Sequence, residues 1–442
     1  MNKKRYMFNA VIFFILLSYS YYFYFFVFQN YRVKIGFFLS PDYTKLVEAL
    51  IFVILFDLFY YKYNVNESIY LSISYILYLF IFVPSSIFYW MSEGARSYFY
   101  MQVISFAVLN MIYILVKQKN LFNTNELLKR FSIKTDDSAK PNKLAFMLLT
   151  IISIFFIVDI IIYSQYGHSL SYLFHLDKVY DIRYVTRETL PNKLFYLISW
   201  STMAIVPVTI AWTIRIKKLY LAAIPIFIQI LLFTIGGDKI YIFALMLSVF
   251  IYIIYRYKLM YYFVILLNYM IALLLIIKKG FILSLAISRV FFEPMSLSYS
   301  YYYFFSKYPK MYLSSSIFSR FIDNPYKLDS PFIISKYIYR VPKMSANVNF
   351  IANAYSNFGF LGIVVFTVIL GIFLLIIENI TYDKKMKALV MFTVFSSCYE
   401  LENSALLTTL FYHGLMASIV MAYLLVLVYK KKKSQADYPL KQ

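Results

Sequence analysis

The chain has 442 residues, of which 62% are apolar and only 14% are charged. A water-soluble domain carries about a quarter charged residues, so this composition, with a mean hydropathy of +0.68, excludes a soluble enzyme. The single cysteine, Cys398, excludes a disulfide framework and a cysteine-based metal cluster. The sequence therefore predicts an all-α, polytopic integral membrane protein.

Apolar runs with charged flanks predict about twelve transmembrane helices. The first run is longer than the apolar core of a signal peptide and no small-residue cleavage site follows it, so we expect it to remain as the first helix. The stretch 388–404 is short and ends in a polar run, so it also fits a helix that crosses only part of the membrane. The predicted spans are 7–29, 46–61, 68–91, 98–116, 144–164, 194–214, 219–234, 240–255, 260–277, 349–378, 388–400 and 405–428.

Basic residues, which are retained in the cytoplasm, predict that both termini lie inside. In that orientation the cytoplasmic segments carry 24 Lys and Arg residues. The short external segments carry only 5, when the two long external loops, 165–193 and 278–348, are left out of the count. Long loops are translocated despite their charge. The longest cytoplasmic loop is 117–143, and no linker marks a second domain, so we expect a single membrane domain over residues 1–442.

The external loop 278–348 is strongly basic and rich in tyrosine. Ten Lys and Arg residues oppose three acidic residues, and nine residues are tyrosines. One interpretation is a solvated surface that faces anionic lipid headgroups. The other is a pocket for a large anionic substrate, in which Arg289, Arg320 and Arg340 bind phosphate oxygens and tyrosines stack on sugars.

The second external loop holds two of the three histidines, His168 and His175. Arg183 and Arg187 are four residues apart, so on a helix they would share one face and could hold one phosphate group. Asp177 is a neighbouring carboxylate that could act as a base. For the histidines, a polar surface contact is the more ordinary explanation.

Two further features lie near the predicted outer face. The turn Gly236-Gly237-Asp238-Lys239 joins two helices, and its glycines would let the backbone approach a ligand closely, although an ordinary tight turn explains it equally well. Glu400 lies at the end of a predicted span, where ionisable groups usually pair or line a cavity. The chain has no phosphate loop, no zinc-protease motif and no nucleophile elbow.

Residues 347–362 read Asn-Val-Asn-Phe-Ile-Ala-Asn-Ala-Tyr-Ser-Asn-Phe-Gly-Phe-Leu-Gly. This polar and aromatic run, ending in Phe-Gly-x-x-Gly, resembles the segment with which Wzy-type O-antigen polymerases re-enter the membrane after their large loop. The many helices, the two arginine-containing external loops and the cytoplasmic termini are also similar to that family. The turn at Gly236 resembles a glycine-rich turn of the family, in which arginine is more usual than Lys239.

The resemblance implies a glycosyltransferase that joins oligosaccharide repeat units, carried on undecaprenyl pyrophosphate, into a surface polysaccharide such as O-antigen or capsule. It implies action at the outer face of the bacterial inner membrane without a metal, nucleotide or other cofactor. The expected partners are lipid-linked oligosaccharides, membrane lipid and a protein that regulates chain length, and no nucleic acid. The expected base is Glu400, His175 or Asp177. The expected substrate and pyrophosphate contacts are Arg183, Arg187, Lys239, Arg289, Arg320, Arg340, Asn353 and Tyr355.

Two other functions share most of these features. A flippase for lipid-linked oligosaccharides would have the same substrate and a basic cavity. Transporters of that kind tend to have short, even loops, whereas the loop 278–348 is about one sixth of this chain. A ligase that attaches finished glycan to an acceptor would have a nearly identical site.

Overall fold

The chain folds as a bundle of helices. Every regular element in the described part is a helix, and the β-pairing there is limited to two isolated bridges. Among the residues that the structure describes, eight helices are long and apolar enough to cross a membrane. This confirms the prediction of an all-helical, polytopic membrane protein. The computed structural model describes residues 9–27, 39–118, 132–135, 140–168, 186, 188–277, 284–341 and 344–431.

The helices follow the apolar runs of the sequence. The helices in chain order are α1 Asn9–Val27, α2 Tyr43–Lys62, α3 Ile69–Met91, α4 Arg96–Gln118, α5 Leu144–Tyr166, α6 Lys193–Arg215, α7 Leu219–Gly236, α8 Lys239–Arg256, α9 Met260–Ile277, α10 Glu293–Lys307, α11 Ser330–Tyr337, α12 Phe350–Glu378, α13 Lys384–Tyr399, α14 Leu406–Phe411 and α15 Leu415–Val428. The eight that can cross a membrane are α3, α4, α5, α6, α7, α9, α12, and the pair formed by α14 and α15, which counts as one.

The other four predicted spans are also helical, as α1, α2, α8 and α13. They do not belong to the group of eight because they are shorter or more charged. Helix α2 carries Lys45, Glu48 and Asp57, and α13 has only 16 residues. The number of spans and their orientation therefore stay predictions.

Prolines explain three irregular turns in these helices. Proline has no N–H, and its ring clashes with a carbonyl of the preceding turn, so that turn widens. Each of the three π-helical segments ends two residues before a proline. The pairs are Tyr78–Phe82 with Pro84, Ser201–Ile205 with Pro207, and Ser284–Phe292 with Pro294.

The described residues form two compact units. The first contains α1 to α4, α9 to α11, α12 as far as Leu375, and residues 399–409. The second contains α5 to α8, the rest of α12, α13 as far as Cys398, and residues 410–431. The sequence does not indicate this division.

The first unit surrounds α3, in which every residue except Trp90 is buried. The core of this unit is rich in tyrosine, and several of the tyrosine hydroxyl groups have a hydrogen-bond partner inside the protein. The Tyr70 hydroxyl donates to the Leu109 carbonyl at 2.7 Å, and the Tyr78 hydroxyl donates to the Val53 carbonyl at 2.9 Å. These bonds join α3 to α4 and to α2.

Small polar residues hold the helices of the second unit together. The Ser418 hydroxyl in α15 lies 2.9 Å from the Ser397 hydroxyl and also donates to the Met203 carbonyl at 2.9 Å. Hydrogen bonds of this kind join neighbouring helices in an apolar environment. Gly414, with a φ of 72°, precedes α15 and lies against Trp200.

Helix α12 is interrupted at the Phe-Gly-x-x-Gly segment. Gly359 has φ 64° and ψ −145°, a conformation essentially restricted to glycine. Gly362 follows in helical conformation, and a Cβ atom at this position would collide with the carbonyl oxygen of Ala354. Residues 350–357 are thereby separated from the longer apolar part of α12.

We predict that Gly359→Ala and Gly362→Ala each lower the thermal midpoint of the detergent-solubilised protein. Alanine at residue 359 forces an L-residue into a conformation essentially restricted to glycine, at about 1–3 kcal/mol, and alanine at residue 362 displaces the Ala354 carbonyl. Size-exclusion chromatography after heating measures the midpoint. Gly236→Ala is the control, because a Cβ there makes only ordinary contacts at 3.6 Å. Midpoints equal to wild type would contradict this account of the interruption.

Candidate functional site

The predicted external loop contains two helices, α10 and α11, with a series of turns between them. Helix α10 begins with Glu293 and Pro294 and ends at Lys307. Proline suits the first turn of a helix, and the opposite charges at the two ends match the helix dipole. The residues directly before α10, Ser284–Phe292, form a π-helical segment.

One face of α10 lines a cavity of 770 Å³. Ser296, Tyr299, Ser300 and Tyr303 follow the three-and-four spacing that places side chains on a single helical face. The other walls come from the end of α3 with the residues after it, and from the residues after α11. These lining residues are Phe88, Ser92, Glu93, Ile338, Tyr339 and Arg340.

Hydroxyl groups tie the walls of this cavity together. The Tyr339 hydroxyl lies 3.0 Å from the Ser300 hydroxyl and 3.4 Å from that of Ser296. The Tyr303 hydroxyl donates to the carbonyl oxygen of Glu93. Burial raises the pKa of Tyr339, so its hydroxyl stays neutral and can donate a hydrogen bond.

Arg340 and Glu93 are the charged residues among those that line the cavity, and both are exposed. Arg340 lies just beyond α11 with a φ of 56°, in a conformation and at a location where glycine is usual. A guanidinium group offers a planar set of donors to phosphate oxygens, and a carboxylate can accept a hydroxyl proton. The cavity therefore combines an anion-binding group with a potential base.

A tyrosine cluster joins α4, α10 and the start of α12. The ring centroids of Tyr98 and Tyr302 are 5.0 Å apart, and those of Tyr302 and Tyr355 are 4.9 Å apart. The Tyr98 hydroxyl lies 2.6 Å from the hydroxyl of Ser298, which also accepts a hydrogen bond from Asn349 at 3.3 Å. Tyr355 is consequently buried by neighbouring rings. Its expected contact with substrate stays a prediction.

Lys310 completes this cluster from the turns that follow α10. Its ammonium nitrogen lies 3.8 Å from the centroid of the Tyr355 ring and donates to the carbonyl oxygen of Phe305. Burial lowers the pKa of Lys310 to about 8, although the ring attracts the charged form. Counting basic residues identifies Lys310 as part of the loop, but only the fold shows that it is half-buried.

The asparagines of the segment 347–362 hold the turn that carries Lys310. The side chain of Asn357 accepts a hydrogen bond from the Leu313 N–H at 2.8 Å and donates to the Asn353 carbonyl at 2.9 Å. The Met311 N–H donates to the Ser356 carbonyl at 2.9 Å. Asn353 thus takes part in a structural contact, and its expected role in binding substrate stays a prediction.

Of the predicted arginines that the structure describes, Arg340 lines the cavity. Arg289 is exposed and lies 3.7 Å from Glu293, one turn further along the chain. Arg320 is exposed in the turns between α10 and α11. Glu400 is buried in the first unit. None of these three candidates belongs to the cavity wall.

The structure does not describe four candidate residues of the external loop 165–193. It also does not describe the side chain of one candidate in the glycine-rich turn at Gly236. Thr186 is described, and its hydroxyl donates to the Ile235 carbonyl at 2.6 Å, next to that turn. Gly237 has a φ of 61° and ends α7. The candidates outside the described part are His175, Asp177, Arg183, Arg187 and the side chain of Lys239.

Sequence reasoning missed Glu93 and the serines on this face of α10, and it treated Tyr339 only as one of the nine tyrosines of the loop. The spacing of Ser296 and Ser300 is visible in the sequence once α10 is recognised as a helix. The position of Glu93 beside α10 is not visible, because the two are separated by about 200 residues of chain. Such long-range contacts depend on the packing of the helices.

No family model, curated protein or solved structure matches the chain. No group of three or more His, Cys, Asp and Glu side chains suited to a metal ion occurs within the ranges that the structure describes. The cavity beside α10 is therefore the feature whose chemistry bears most directly on function.

We predict that the stability of the wild-type protein, relative to Lys310→Met, rises between about pH 8 and about pH 10.4. Below this window Lys310 is charged in both the folded and the unfolded chain, and its partial burial destabilises the fold. Within the window the folded chain binds fewer protons than the unfolded one, so this penalty disappears as the pH rises. Thermal midpoints measured across the window provide the test.

The matched control is Lys307→Met, which removes an exposed lysine from the end of α10. If the thermal midpoints of the wild type and Lys310→Met differ by the same amount at all pH values, the burial of Lys310 is too weak to lower its pKa.

Proposed function

We propose that the protein is a glycosyltransferase that polymerises lipid-linked oligosaccharide repeat units into a surface polysaccharide at the outer face of a bacterial cytoplasmic membrane. The cavity beside α10 is the main support. It places Arg340 and Glu93 beside a row of hydroxyl groups, in two segments that the charge distribution predicts to be external. This combination suits a substrate made of sugars and phosphate.

In the proposed reaction, a sugar hydroxyl of the acceptor gives its proton to the Glu93 carboxylate and attacks the anomeric carbon of the donor. The new glycosidic C–O bond forms as the C–O bond to pyrophosphate breaks, and undecaprenyl pyrophosphate leaves with the electron pair. Arg340 faces the leaving group and stabilises the negative charge that develops on its oxygen. We prefer Glu93 to Glu400 as the base because Glu93 lines the cavity and Glu400 does not.

The cavity walls also suit the sugar part of such a substrate. Its volume of 770 Å³ lies within the range of pockets that enclose small ligands, so it would hold part of an oligosaccharide. The Ser296 and Ser300 hydroxyls can exchange hydrogen bonds with sugar hydroxyls, and the rings of Tyr299 and Tyr303 offer apolar surface. The resemblance of the segment 347–362 to Wzy-type polymerases supports the same function.

Deletion of the gene, followed by analysis of the surface glycan, tests the proposed function against its alternatives. Loss of a polymerase leaves surface glycans that carry a single repeat unit, which is the outcome we expect. Loss of a flippase leaves lipid-linked units at the cytoplasmic face. Loss of a ligase leaves finished polymer on its lipid carrier. Either of the last two results would overturn the assignment as a polymerase.

We predict that Arg340→Lys and Glu93→Gln each reduce the amount of polymer by at least about tenfold, since one preorganised charge at a reacting centre contributes that much or more. Lysine lacks the planar, bidentate donor set of arginine, and glutamine cannot accept the proton. The glycan length distribution, measured in cells that lack the native gene, reports polymer formation. Immunoblotting of membranes confirms that each variant inserts.

Arg320→Lys and Glu400→Gln make the same chemical changes at residues outside the cavity wall. With both, we expect wild-type chain lengths. Normal glycan from Arg340→Lys would remove the phosphate contact from the proposal, and a defect from Glu400→Gln without one from Glu93→Gln would reassign the base.

A further inference from the structure

The second unit contains a cavity of 550 Å³ that is lined mainly by basic residues. Four of its seven lining residues are Arg215, Lys217, Arg256 and Lys385, and none of the seven is acidic. Several cationic side chains around one small volume create a positive potential that attracts an anion. The composition of this wall therefore indicates a binding site for an anion.

The cluster forms where three helices end or begin. Arg215 is the last residue of α6, Arg256 is the last residue of α8, and Lys385 lies in the first turn of α13. The acidic residues that precede Lys385 in the chain, Glu378 and Asp383, do not belong to the lining of the cavity.

The side chain of Arg215 is held in position by aromatic residues. Its guanidinium carbon lies 4.6 Å from the centroid of the Tyr429 ring. The Tyr429 hydroxyl in turn accepts a hydrogen bond from the indole N–H of Trp212 at 2.9 Å. An arginine fixed in this way loses little conformational freedom when it binds a ligand.

The rest of the wall is apolar or aromatic. Ile214, Leu389 and Tyr252 complete the lining, and the Tyr252 ring packs edge to face on Phe392. A site with a cationic part and an apolar part suits an amphiphile whose charged group is a phosphate. The charge distribution of the sequence predicts that residues 215–218 and 379–387 face the cytoplasm, where the membrane leaflet is anionic.

We propose that this cavity binds a phosphate group, supplied either by the headgroup of an anionic phospholipid or by a free phosphate. Basic pockets between helices on the cytoplasmic side of membranes are known to hold such headgroups. The bound anion would be attracted to the four cationic side chains and would stabilise the ends of α6 and α8. This proposal is independent of the glycosyltransferase function, because it uses none of the residues assigned to the cavity beside α10.

The test uses the full-length protein in a zwitterionic detergent and two matched double variants. Lys217→Gln/Lys385→Gln removes two lysines that line the cavity, and Lys218→Gln/Lys384→Gln removes their immediate neighbours, which do not. All four lysines are exposed, so each protein is expected to fold. Titration with phosphatidylglycerol, with phosphatidylcholine and with inorganic phosphate is followed by the thermal midpoint, which rises when a ligand binds the folded state.

We expect phosphatidylglycerol to stabilise the wild type and the Lys218/Lys384 variant to similar extents, and phosphatidylcholine to stabilise neither. We expect the Lys217/Lys385 variant to bind phosphatidylglycerol at least about tenfold more weakly, since each lost cation contributes to headgroup binding. The same pattern with inorganic phosphate alone would support the site and identify a free phosphate as its ligand. Equal losses in the two double variants, or no stabilisation by either phosphate source, would overturn the proposal.

Discussion

A polar group among membrane helices must find its hydrogen-bond partner within the protein, because hydrocarbon offers none. The tyrosine-rich core of the first unit satisfies this constraint directly. The hydroxyls of Tyr70 and Tyr78 donate to backbone carbonyls of neighbouring helices, and the hydroxyl of Tyr98 pairs with Ser298 of α10. Each bond fixes the separation of two helices as well as removing an unsatisfied group. The same chemistry continues into the cavity, where the hydroxyls of Tyr339 and Ser300 meet.

The prolines determine which faces of the helices can take part in these bonds. A π-helical turn shifts the register of the residues around it, and such turns often occur near functional sites. The π-helical segment that ends at Phe292 leads directly into α10 at Pro294. The register that follows places serines and tyrosines on the cavity side, while Tyr301 and Phe305 are buried on another side. The face of α10 that lines the cavity therefore follows directly on a backbone irregularity that ends two residues before a proline.

The sequence predicts the helices well because burial in a membrane requires long apolar runs, and all twelve predicted spans are helical in the structure. It also singles out Arg340, which lines the cavity, because a basic residue in a long external loop is conspicuous. It does not single out Glu93, which lines the same cavity only through packing between α10 and the residues after α3. Lys310 is equally hidden, since its partial burial under the Tyr355 ring depends on a turn held by Asn357. Composition and periodicity report local environments, whereas these contacts are made by distant parts of the chain.

The two cavities differ in the residues that surround their cations. This difference distinguishes a site suited to catalysis from a site suited only to binding. Beside α10, Arg340 shares a wall with a carboxylate and several hydroxyls, so an anionic group and a proton donor could both be held and a proton could be transferred. In the second unit, four cations share a wall that has no carboxylate, so a phosphate would be bound strongly but no side chain there could act as a carboxylate base. A reaction that breaks a sugar–phosphate bond needs both charge stabilisation and proton removal. Of these two arrangements the first provides both, and this is why our proposal places the reaction beside α10 and not in the more basic cavity.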